Sequence, residues 1–389
     1  MAENPVYLDH NATTPVSAGV LSRLSEWAAA WGNPSSIHAR SRDPKRVLRE
    51  TRQVLADFLG CSPLELVFTS GGSESNNTVL KGLWAKLGRE RPHIMCSAVE
   101  HPSVLRTMQW LGEQGAEVDI IPVSRDGRID LEFYRAKLGA RTLFVSVMAA
   151  NNETGTLFPV REMAGMAHAK GALFHCDAVQ MFGKLPVDLA AWNVDYASFS
   201  AHKFYSLKGT GVLYVKRNSP YEPLIHGGGQ ERHRRGGTEN TLGIAALGQV
   251  VSEAPAVAAE GSRIAALRDH FEARVLAEIP ASSVTAALSP RLPNTSSLVL
   301  DGVDGETLLM SLDLQGYAVS TGAACSSGNP EPSPVLLALG LSRQEAQNSL
   351  RVSFGRGNDL AQVDAFVEIL KFTVQRLRQL QNNTGVRHA

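Results

Sequence analysis

The sequence predicts an α/β protein with a mostly parallel, seven-stranded sheet in a large domain and a smaller α+β domain beside it. Two observations carry this prediction. Short apolar runs of strand length alternate with segments of helical spacing, and this alternation changes in the last third of the chain. With 389 residues, of which 43% are hydrophobic and 20% charged, the chain is long enough to form two folding units.

Seven apolar runs have the length and composition of buried strands. In chain order they are residues 66–69, 94–97, 118–123, 142–148, 173–176, 196–200 and 211–215. Intervening segments at 74–87, 104–114 and 160–169 have helical spacing, as expected for helices that cover a parallel sheet. One long helix is predicted over about 250–277, and the polar tail 379–389 is predicted to fray.

The pattern changes after that long helix to fewer strands and longer loops, which indicates a domain boundary. The prediction assigns residues 15–256 to the large domain and residues 1–14 and 257–389 to the small domain. The small domain would carry a segment of small, turn-forming residues at about 320–334.

Composition argues against several classes of function. The 38 Lys and Arg residues balance the 38 Asp and Glu residues, so no net field favours nucleic acid or an anionic membrane. The N-terminus has neither a basic nor an apolar leader region, and no apolar run approaches membrane length. We therefore expect a cytoplasmic protein that binds neither nucleic acid nor membrane.

The four cysteines show neither a CxxC pair nor metal-ligand spacing, so no metal site and no disulfide framework is predicted. Cys96 and Cys176 lie in apolar runs and are predicted to be small buried hydrophobic residues. Cys325 lies among Gly, Ala, Ser, Asn and Pro, which predicts an exposed loop. Because an exposed free thiol is a liability unless it is used, Cys325 is a candidate functional residue.

Lys203 comes just after the apolar run 196–200. It is therefore expected at the carboxyl end of a buried strand, where open α/β sheets bind their ligands. Partial burial lowers the pKa of a lysine and makes its amine available for a Schiff base. A surface lysine in a turn is the alternative when the pair His202 and Lys203 is considered alone.

Other polar residues also follow predicted strands. The segment 69–73 joins a strand to a helix, so backbone amides near Gly72 and Ser73 would face an anion at the helix N-terminus. The segment is neither a Walker motif nor a dinucleotide fingerprint, and a simple capped glycine turn is the alternative. Further polar residues after strand ends are Glu100, His101, Asn152, Asp177, Gln180 and Ser200. All of them would meet at one edge of the sheet.

An anion site, an acidic residue, a histidine and a lysine at one edge match the needs of pyridoxal phosphate. That cofactor requires an amine for its aldehyde, a carboxylate for its ring nitrogen and a site for its phosphate. Each residue also has a simpler interpretation as a cap, a turn residue or a buried imidazole, and their coincidence favours the cofactor.

The chain resembles the NifS/IscS-like cysteine desulfurases, class V members of the fold-type I pyridoxal phosphate enzymes. Motifs such as Ser200-Ala-His-Lys203 and Asn151-Asn-Glu-Thr-Gly155 carry this resemblance. The matching segments run nearly end to end, at residues 7–14, 32–38, 68–75, 99–101, 151–155, 177–180, 200–203, 235–240, 322–328 and 351–353. The resemblance implies the fold-type I architecture and desulfurase activity on L-cysteine.

The resemblance also implies roles for the matched residues. Lys203 would form the Schiff base, Asp177 would pair with the ring nitrogen and Gln180 would donate to the ring oxygen. His101 would stack on the ring and move protons. Residues implied to hold the phosphate are Gly72, Ser73, Ser200 and His202, with Thr238 reaching in from the other subunit of a homodimer.

The remaining implied roles concern the substrate. Arg351 would bind the substrate carboxylate with its planar fork, and Asn152 would lie beside cofactor and substrate. Cys325 would be the nucleophile, so that L-cysteine yields L-alanine and a Cys325 persulfide. The sulfur would then pass to an iron–sulfur scaffold protein or another acceptor.

The chain departs from the family pattern in two places near the expected site. Ser206-Leu207 stands where the family usually has Gly-Pro, and Ser73 stands where it usually has threonine. Proline is also frequent in the segment 328–334, which restricts the backbone after Cys325. A selenocysteine lyase, a class V aminotransferase and a non-catalytic sulfur carrier are the alternatives to a desulfurase.

Overall fold

The structure is a computed structural model that describes residues 5–254, 257–321 and 331–385. Its strands are β1 Val6–Tyr7, β2 Leu66–Thr69, β3 His93–Ser97, β4 Glu117–Ile121, β5 Thr142–Ser146, β6 Leu173–Asp177, β7 Tyr196–Ser200, β8 Gly211–Val215, β9 Ser282–Val284, β10 Thr295–Leu300, β11 Tyr317–Ala318 and β12 Ser349–Ser353. Its helices are α1 Ala18–Ala29, α2 Arg42–Leu59, α3 Gly72–Leu87, α4 Pro102–Glu113, α5 Leu131–Lys137, α6 Val160–Ala169, α7 Leu189–Trp192, α8 Thr241–Ser252, α9 Val257–Glu278, α10 Gly305–Leu314, α11 Pro334–Ala338, α12 Arg343–Gln347 and α13 Leu360–Gly385.

The central sheet has seven strands in the order β2-β8-β7-β6-β5-β3-β4, which confirms the predicted α/β fold and mostly parallel sheet. Among the described strands of this sheet, β8 alone runs against its neighbours, because it pairs antiparallel with both β2 and β7. The other six therefore point the same way, and their carboxyl ends lie at one edge. Residues that follow β2, β3, β5, β6 and β7 are thereby brought together.

The predicted strands agree closely with the observed ones. β2, β7 and β8 coincide with the predicted runs, and the other four differ by one or two residues at their ends. β4 stops at Ile121 rather than at residue 123 because Pro122 has no N–H group for the ladder. Cys96 and Cys176 are fully buried in β3 and β6, as predicted.

A second layer is built from the antiparallel sheet β12-β10-β9, the parallel pair β1-β11 and helices α9, α10 and α13. Its hydrophobic cluster is separate from those of the central sheet and includes Phe271, whose ring centroid lies 5.6 Å from those of Phe354 and Phe366. This layer brings the N-terminal segment and β12 next to the central sheet, since Asp9 bridges to Ser353. The domain boundary near residue 256 stays a prediction.

Two helix predictions were wrong. The predicted long helix over 250–277 is two helices, because α8 ends at Ser252 and α9 begins at Val257. The sequence has Pro255 between them, and a proline inside a helix removes a backbone donor and clashes with the preceding turn. The tail predicted to fray from residue 379 is helical to Gly385 as the end of α13. Gln379, Leu380 and Gln381 are good helix formers and extend a helix whose buried residues between Val363 and Val374 belong to the second-layer cluster, while residues 386–389 lie outside the described residues.

The turn after Lys203 closes without the Gly-Pro pair that is usual in the family. Ser206 N donates to Ala201 O at 3.3 Å, and Leu207 packs against the main core. Tyr205 adopts a left-handed φ of 56°, a conformation that costs a non-glycine residue free energy. Its hydroxyl accepts a bond from Arg356 N at 2.8 Å, which helps to hold this conformation.

A buried ion pair anchors the segment that carries Thr238. Arg52 donates to Glu231 at 2.5 Å, and the same carboxylate accepts from Phe68 N in β2 at 2.9 Å. Glu231 and the next two residues all have a left-handed φ, between 46° and 63°. The ion pair therefore holds a strained backbone run against the central sheet.

The substitution Arg52→Met is expected to destabilise the protein by about 3–5 kcal/mol, because it leaves the buried Glu231 carboxylate without its cation. Denaturant unfolding of the variant and the wild type measures the loss. Arg46→Met is the matched control, since Arg46 pairs with Glu50 at 3.0 Å on the exposed surface of α2, where an ion pair contributes less than about 1 kcal/mol. Equal losses in the two variants would contradict this account of the Arg52–Glu231 pair.

Candidate active site

A cavity of about 300 Å³ opens where the carboxyl ends of the parallel strands meet. Its lining contains Lys203, His101, Gly72, Ser73, Asn152, Asp177, Gln180, Ser200, His202 and Arg351. The structure thus brings together all the predicted site residues that it describes, apart from Thr238, which is exposed and outside this lining. Cys325 lies outside the described residues.

Lys203 lies in a short turn, Ala201–Lys203, directly after β7. Its Nζ donates to the backbone oxygens of Asn11 at 2.5 Å and Ala12 at 2.6 Å. Burial and, after it, nearby Arg351 lower the pKa of Lys203 to about 8, while the carboxylates of Asp9 and Asp177 oppose the shift. The uncharged fraction of the amine at neutral pH is therefore far larger than that of an ordinary lysine, as a nucleophilic lysine requires.

Asp177 ends β6 and presents a buried carboxylate to the cavity. Its Oδ2 accepts from Asn76 Nδ2 at 2.8 Å, and its Oδ1 accepts from Val179 N at 3.0 Å. Both bonds fix the direction of the carboxylate. Asp177 is thus placed to accept a hydrogen bond from a protonated ring nitrogen.

His101 caps the N-terminus of α4, and its Nδ1 accepts from Ser103 N at 3.1 Å. Burial lowers the pKa of His101, with Lys203 acting in the same direction and Asp177 opposing it. A neutral imidazole whose Nδ1 is an acceptor carries its proton on Nε2. The ring is therefore a neutral group with one mobile proton at the cavity.

The predicted anion site lies at the start of α3. The first N–H groups of a helix have no acceptor within it, so those of Gly72 and Ser73 can bind an anion. Gly71 has a φ of 156°, which disfavours a side chain, and a Cβ at Gly72 would lie 2.7 Å from Val179 Cγ2. Ser200, at the end of β7, adds a hydroxyl to the same corner of the cavity.

Arg351 enters the cavity from β12 of the second sheet. One of its terminal nitrogens donates to Asp9 Oδ1 at 2.7 Å and the other to Asn152 O at 3.2 Å. Its Nε is buried and has no hydrogen-bond partner within the described part of the chain. The guanidinium is thus held by two bonds at its terminal nitrogens, and the residue lines the cavity.

Sequence reasoning missed several residues that shape this cavity. Asn76 donates to Asp177, and Ser103 donates to His101. Asp9 accepts a hydrogen bond from Arg351, and Asn11 accepts one from Lys203. Asn76 lies one helical turn after Gly72, so its spacing in α3 was a usable signal. Asp9 and Asn11 lie in the matching segment 7–14, but nothing local to that segment shows which residues they contact.

Glu100 lies just behind the cavity as a fully buried acid. Its Oε1 accepts from Ser97 Oγ at 2.6 Å and Met148 N at 2.8 Å, and its Oε2 has no partner within the described residues. Burial raises the pKa of Glu100 to about 8, with Asp177 adding to the rise. Glu100 is therefore a neutral acid at pH 7.

Glu100 should make the protein less stable as the pH rises. Between the ordinary pKa of a glutamate and about 8, the unfolded chain loses this proton while the folded chain keeps it. The free energy of unfolding therefore falls by about 1.4 kcal/mol per pH unit over this range. Glu100→Gln removes this dependence and keeps the amide oxygen as acceptor. We expect urea unfolding to show that, from pH 5 to pH 8, the free energy of unfolding of the wild type falls by several kcal/mol relative to that of Glu100→Gln. A difference between the two proteins that does not change with pH would contradict the assignment.

Comparison with known proteins decides the family. The family model "Aminotransferase class-V" matches residues 6–366. The chain belongs to this family. A cysteine desulfurase of Cereibacter sphaeroides is 42% identical over 96% of this chain and 97% of its own length. A cysteine desulfurase of Gluconacetobacter diazotrophicus is 43% identical over 97% of this chain and 95% of its own length.

Solved structures agree with this assignment. A NifS-like protein from Rickettsia africae superposes with a TM-score of 0.86 at 30% identity, covering 96% of this chain and 100% of that one. The protein SspA, solved in complex with cysteine, superposes with a TM-score of 0.80 at 34% identity, covering 90% of this chain and 98% of that one. The predicted resemblance to NifS/IscS-like cysteine desulfurases and the fold-type I architecture are confirmed.

Class-V members are pyridoxal phosphate enzymes, so the predicted cofactor is confirmed as well. The residues present also fit the cofactor on chemical grounds. One cavity holds a lysine of lowered pKa, a buried carboxylate, an imidazole and an anion site at a helix N-terminus. Within the described residues no group of His, Cys, Asp and Glu is arranged to hold a metal ion, and no helix has the length and hydropathy to cross a membrane.

Proposed function

We propose that this protein is a pyridoxal phosphate-dependent cysteine desulfurase that takes sulfur from L-cysteine, releases L-alanine and carries the sulfur as a persulfide on Cys325. The observation that supports it most is one cavity lined by Lys203, Asp177, His101 and Arg351, in a chain similar to cysteine desulfurases over nearly its whole length.

The proposal assigns each part of the cofactor to a part of the cavity. The phosphate belongs at the N-terminus of α3 with Ser200 and His202, the ring nitrogen at Asp177 and the ring oxygen at Gln180. When bound, pyridoxal phosphate supplies an aldehyde for the substrate amine and an electron sink that makes the substrate α-proton acidic.

The protein's own groups then bind the substrate and move its protons. Arg351, which lines the cavity, binds the substrate carboxylate. Lys203, once released from the cofactor, takes the α-proton at Nζ, for which a pKa of about 8 is well suited. His101, which lines the same cavity, would donate and recover its Nε2 proton there.

Cys325 carries out the sulfur step in this proposal. Its thiolate attacks the sulfur of the substrate, so an S–S bond forms and the carbon–sulfur bond breaks. The electron pair of the broken bond stays with the substrate carbon, which takes a proton and leaves as alanine. A thiol reductant or an acceptor protein then removes the outer sulfur and restores the Cys325 thiol.

We also propose a cytoplasmic homodimer in which Thr238 reaches the phosphate of the neighbouring subunit, and a sulfur acceptor such as an iron–sulfur scaffold protein. Thr238 is exposed, as a residue that crosses to another subunit must be before assembly. The same segment is fixed to the start of α3 by Arg235, which donates to Glu74 at 3.0 Å. The acceptor is proposed on the resemblance alone.

The test measures alanine and sulfide released from L-cysteine by the cofactor-loaded protein with a thiol reductant. We expect equal amounts of both products, with no need for a keto acid. Turnover of L-selenocysteine but not of L-cysteine would replace the proposal by a selenocysteine lyase. Amino transfer to pyruvate without sulfide would replace it by an aminotransferase.

A further inference from the structure

Lys184 is a partly buried lysine that the proposed chemistry does not use. It follows Gln180 by four residues in the turns after β6, and its Nζ donates to Gln180 Oε1 and to Asn11 Oδ1, both at 2.6 Å. No carboxylate pairs with it among the residues that the structure describes. Because an inward lysine without an acidic partner is costly, its position calls for a specific reason.

Lys184 helps to orient two amide groups. Its Nζ donates to Gln180 Oε1 and to Asn11 Oδ1, so both amide oxygens lie on its side, and Asn294 Nδ2 also donates to Asn11 Oδ1 at 3.0 Å. Gln180 Nε2 then donates to Asn11 O at 3.1 Å, and Asn11 Nδ2 donates to Thr295 Oγ1 at 2.8 Å. Reversing either amide would bring two donors face to face.

The backbone oxygen of Asn11 links the Gln180 amide to the amine of Lys203. Asn11 O accepts from Gln180 Nε2 and also from Lys203 Nζ, at 2.5 Å. Gln180 Nε2 has two hydrogens, so one remains after the bond to Asn11, and Gln180 lines the cavity. Lys184 therefore acts on two groups at the cofactor site without lining that cavity itself.

The charge state of Lys184 agrees with this arrangement. Burial lowers its pKa well below the usual range, and the nearby positive charges of Lys203 and Arg351 lower it further. The two amide oxygens accept two N–H groups of the amine, which it has in either charge state.

We propose that Lys184 is a positioning residue of the cofactor site, which holds the Gln180 amide with an N–H group available to the ring oxygen of pyridoxal phosphate and holds Asn11 against the Lys203 amine. This inference rests on the proposed role of Gln180. A purely structural lysine would only tie the N-terminal segment to the turn after β6, and would not affect the electronic state of the cofactor.

Lys184→Met removes both donors while keeping most of the side-chain length. We expect the apoprotein to bind pyridoxal phosphate at least about tenfold more weakly, the effect of one or two lost hydrogen bonds. We also expect the absorption band of the bound cofactor to shift without any substrate. In a Gln180→Met background the same substitution should shift the band no further, because the amide through which Lys184 acts is gone.

Lys170→Met is the matched control, since Lys170 is exposed at the end of α6. If Lys184→Met does not fold, Lys184→Gln, which keeps one donor group, replaces it in the same measurements of cofactor affinity and absorption band. An unshifted band with unchanged cofactor affinity would overturn the inference, as would an equal shift with and without Gln180. A wild type that binds the cofactor but releases no alanine would overturn the proposed function instead, and leaves the band measurements on Lys184 valid.

Discussion

The Lys203→Ala protein is expected to lose turnover almost completely, with kcat lowered by about 10⁴-fold or more. Two functions should disappear together, because the proposal makes Lys203 both the amine that binds the cofactor covalently and the base for the substrate α-proton. Within the described residues no other lysine lines the cavity, and nearby Lys184 donates to Asn11 and Gln180. Alanine release from L-cysteine measures turnover, and borohydride reduction followed by mass spectrometry measures covalent attachment of the cofactor.

Lys208→Ala is the control for this prediction. Lys208 lies five residues further along the same segment but is exposed and does not line the cavity. We expect its variant to keep wild-type turnover and covalent cofactor. If Lys203→Ala still carried reducible, covalently bound cofactor, another amine would be the Schiff-base group and the assignment would be wrong.

The second large effect is expected from Cys325→Ala. Release of alanine and sulfide should both fall by about 10³-fold or more, since the proposal assigns the sulfur to Cys325 alone. Cofactor binding should be unchanged, because the groups proposed to hold it lie in the described cavity. L-cysteine should still alter the cofactor spectrum, because Arg351 and Lys203 remain. Product assays measure the loss of turnover, and absorption spectra with and without L-cysteine show whether the substrate still binds at the cofactor.

Cys61→Ala is the matched control for Cys325→Ala. Burial raises the pKa of the Cys61 thiol to about 12, with the neighbouring acids Glu65 and Asp57 adding to the rise, so this thiol is not a nucleophile near neutral pH. Its removal should leave alanine and sulfide release unchanged. Wild-type alanine release from the Cys325→Ala protein would show that sulfur leaves without a persulfide on Cys325.

Much of the cavity could be predicted because its parts follow strands. The runs that became β2, β6 and β7 are recognisable from their apolar composition and length. The carboxyl ends of parallel strands lie at one edge of a sheet. Asp177 at the end of one predicted strand and Lys203 just after another could therefore be placed at that edge. These predictions needed local patterns and one rule of sheet geometry.

The contacts that orient those residues could not be predicted in the same way. Asn76 and Asp177 are separated by 101 residues, and Lys184 and Asn11 by 173. An asparagine or lysine has the same sequence signature on a surface as beside a cofactor. The break between α8 and α9 is a different kind of failure, since Pro255 was a local signal that the apolar periodicity outweighed.

The sequence by itself determined the α/β class, the seven strands of the central sheet and the set of residues at their carboxyl ends, because periodicity and strand-end position are local properties. Only the tertiary structure decided that Arg351 from β12 and Asn11 from the N-terminal segment meet Lys203 in one cavity. It also decided the lowered pKa of Lys203, since burial and the charge of Arg351 act only once distant parts of the chain have packed together.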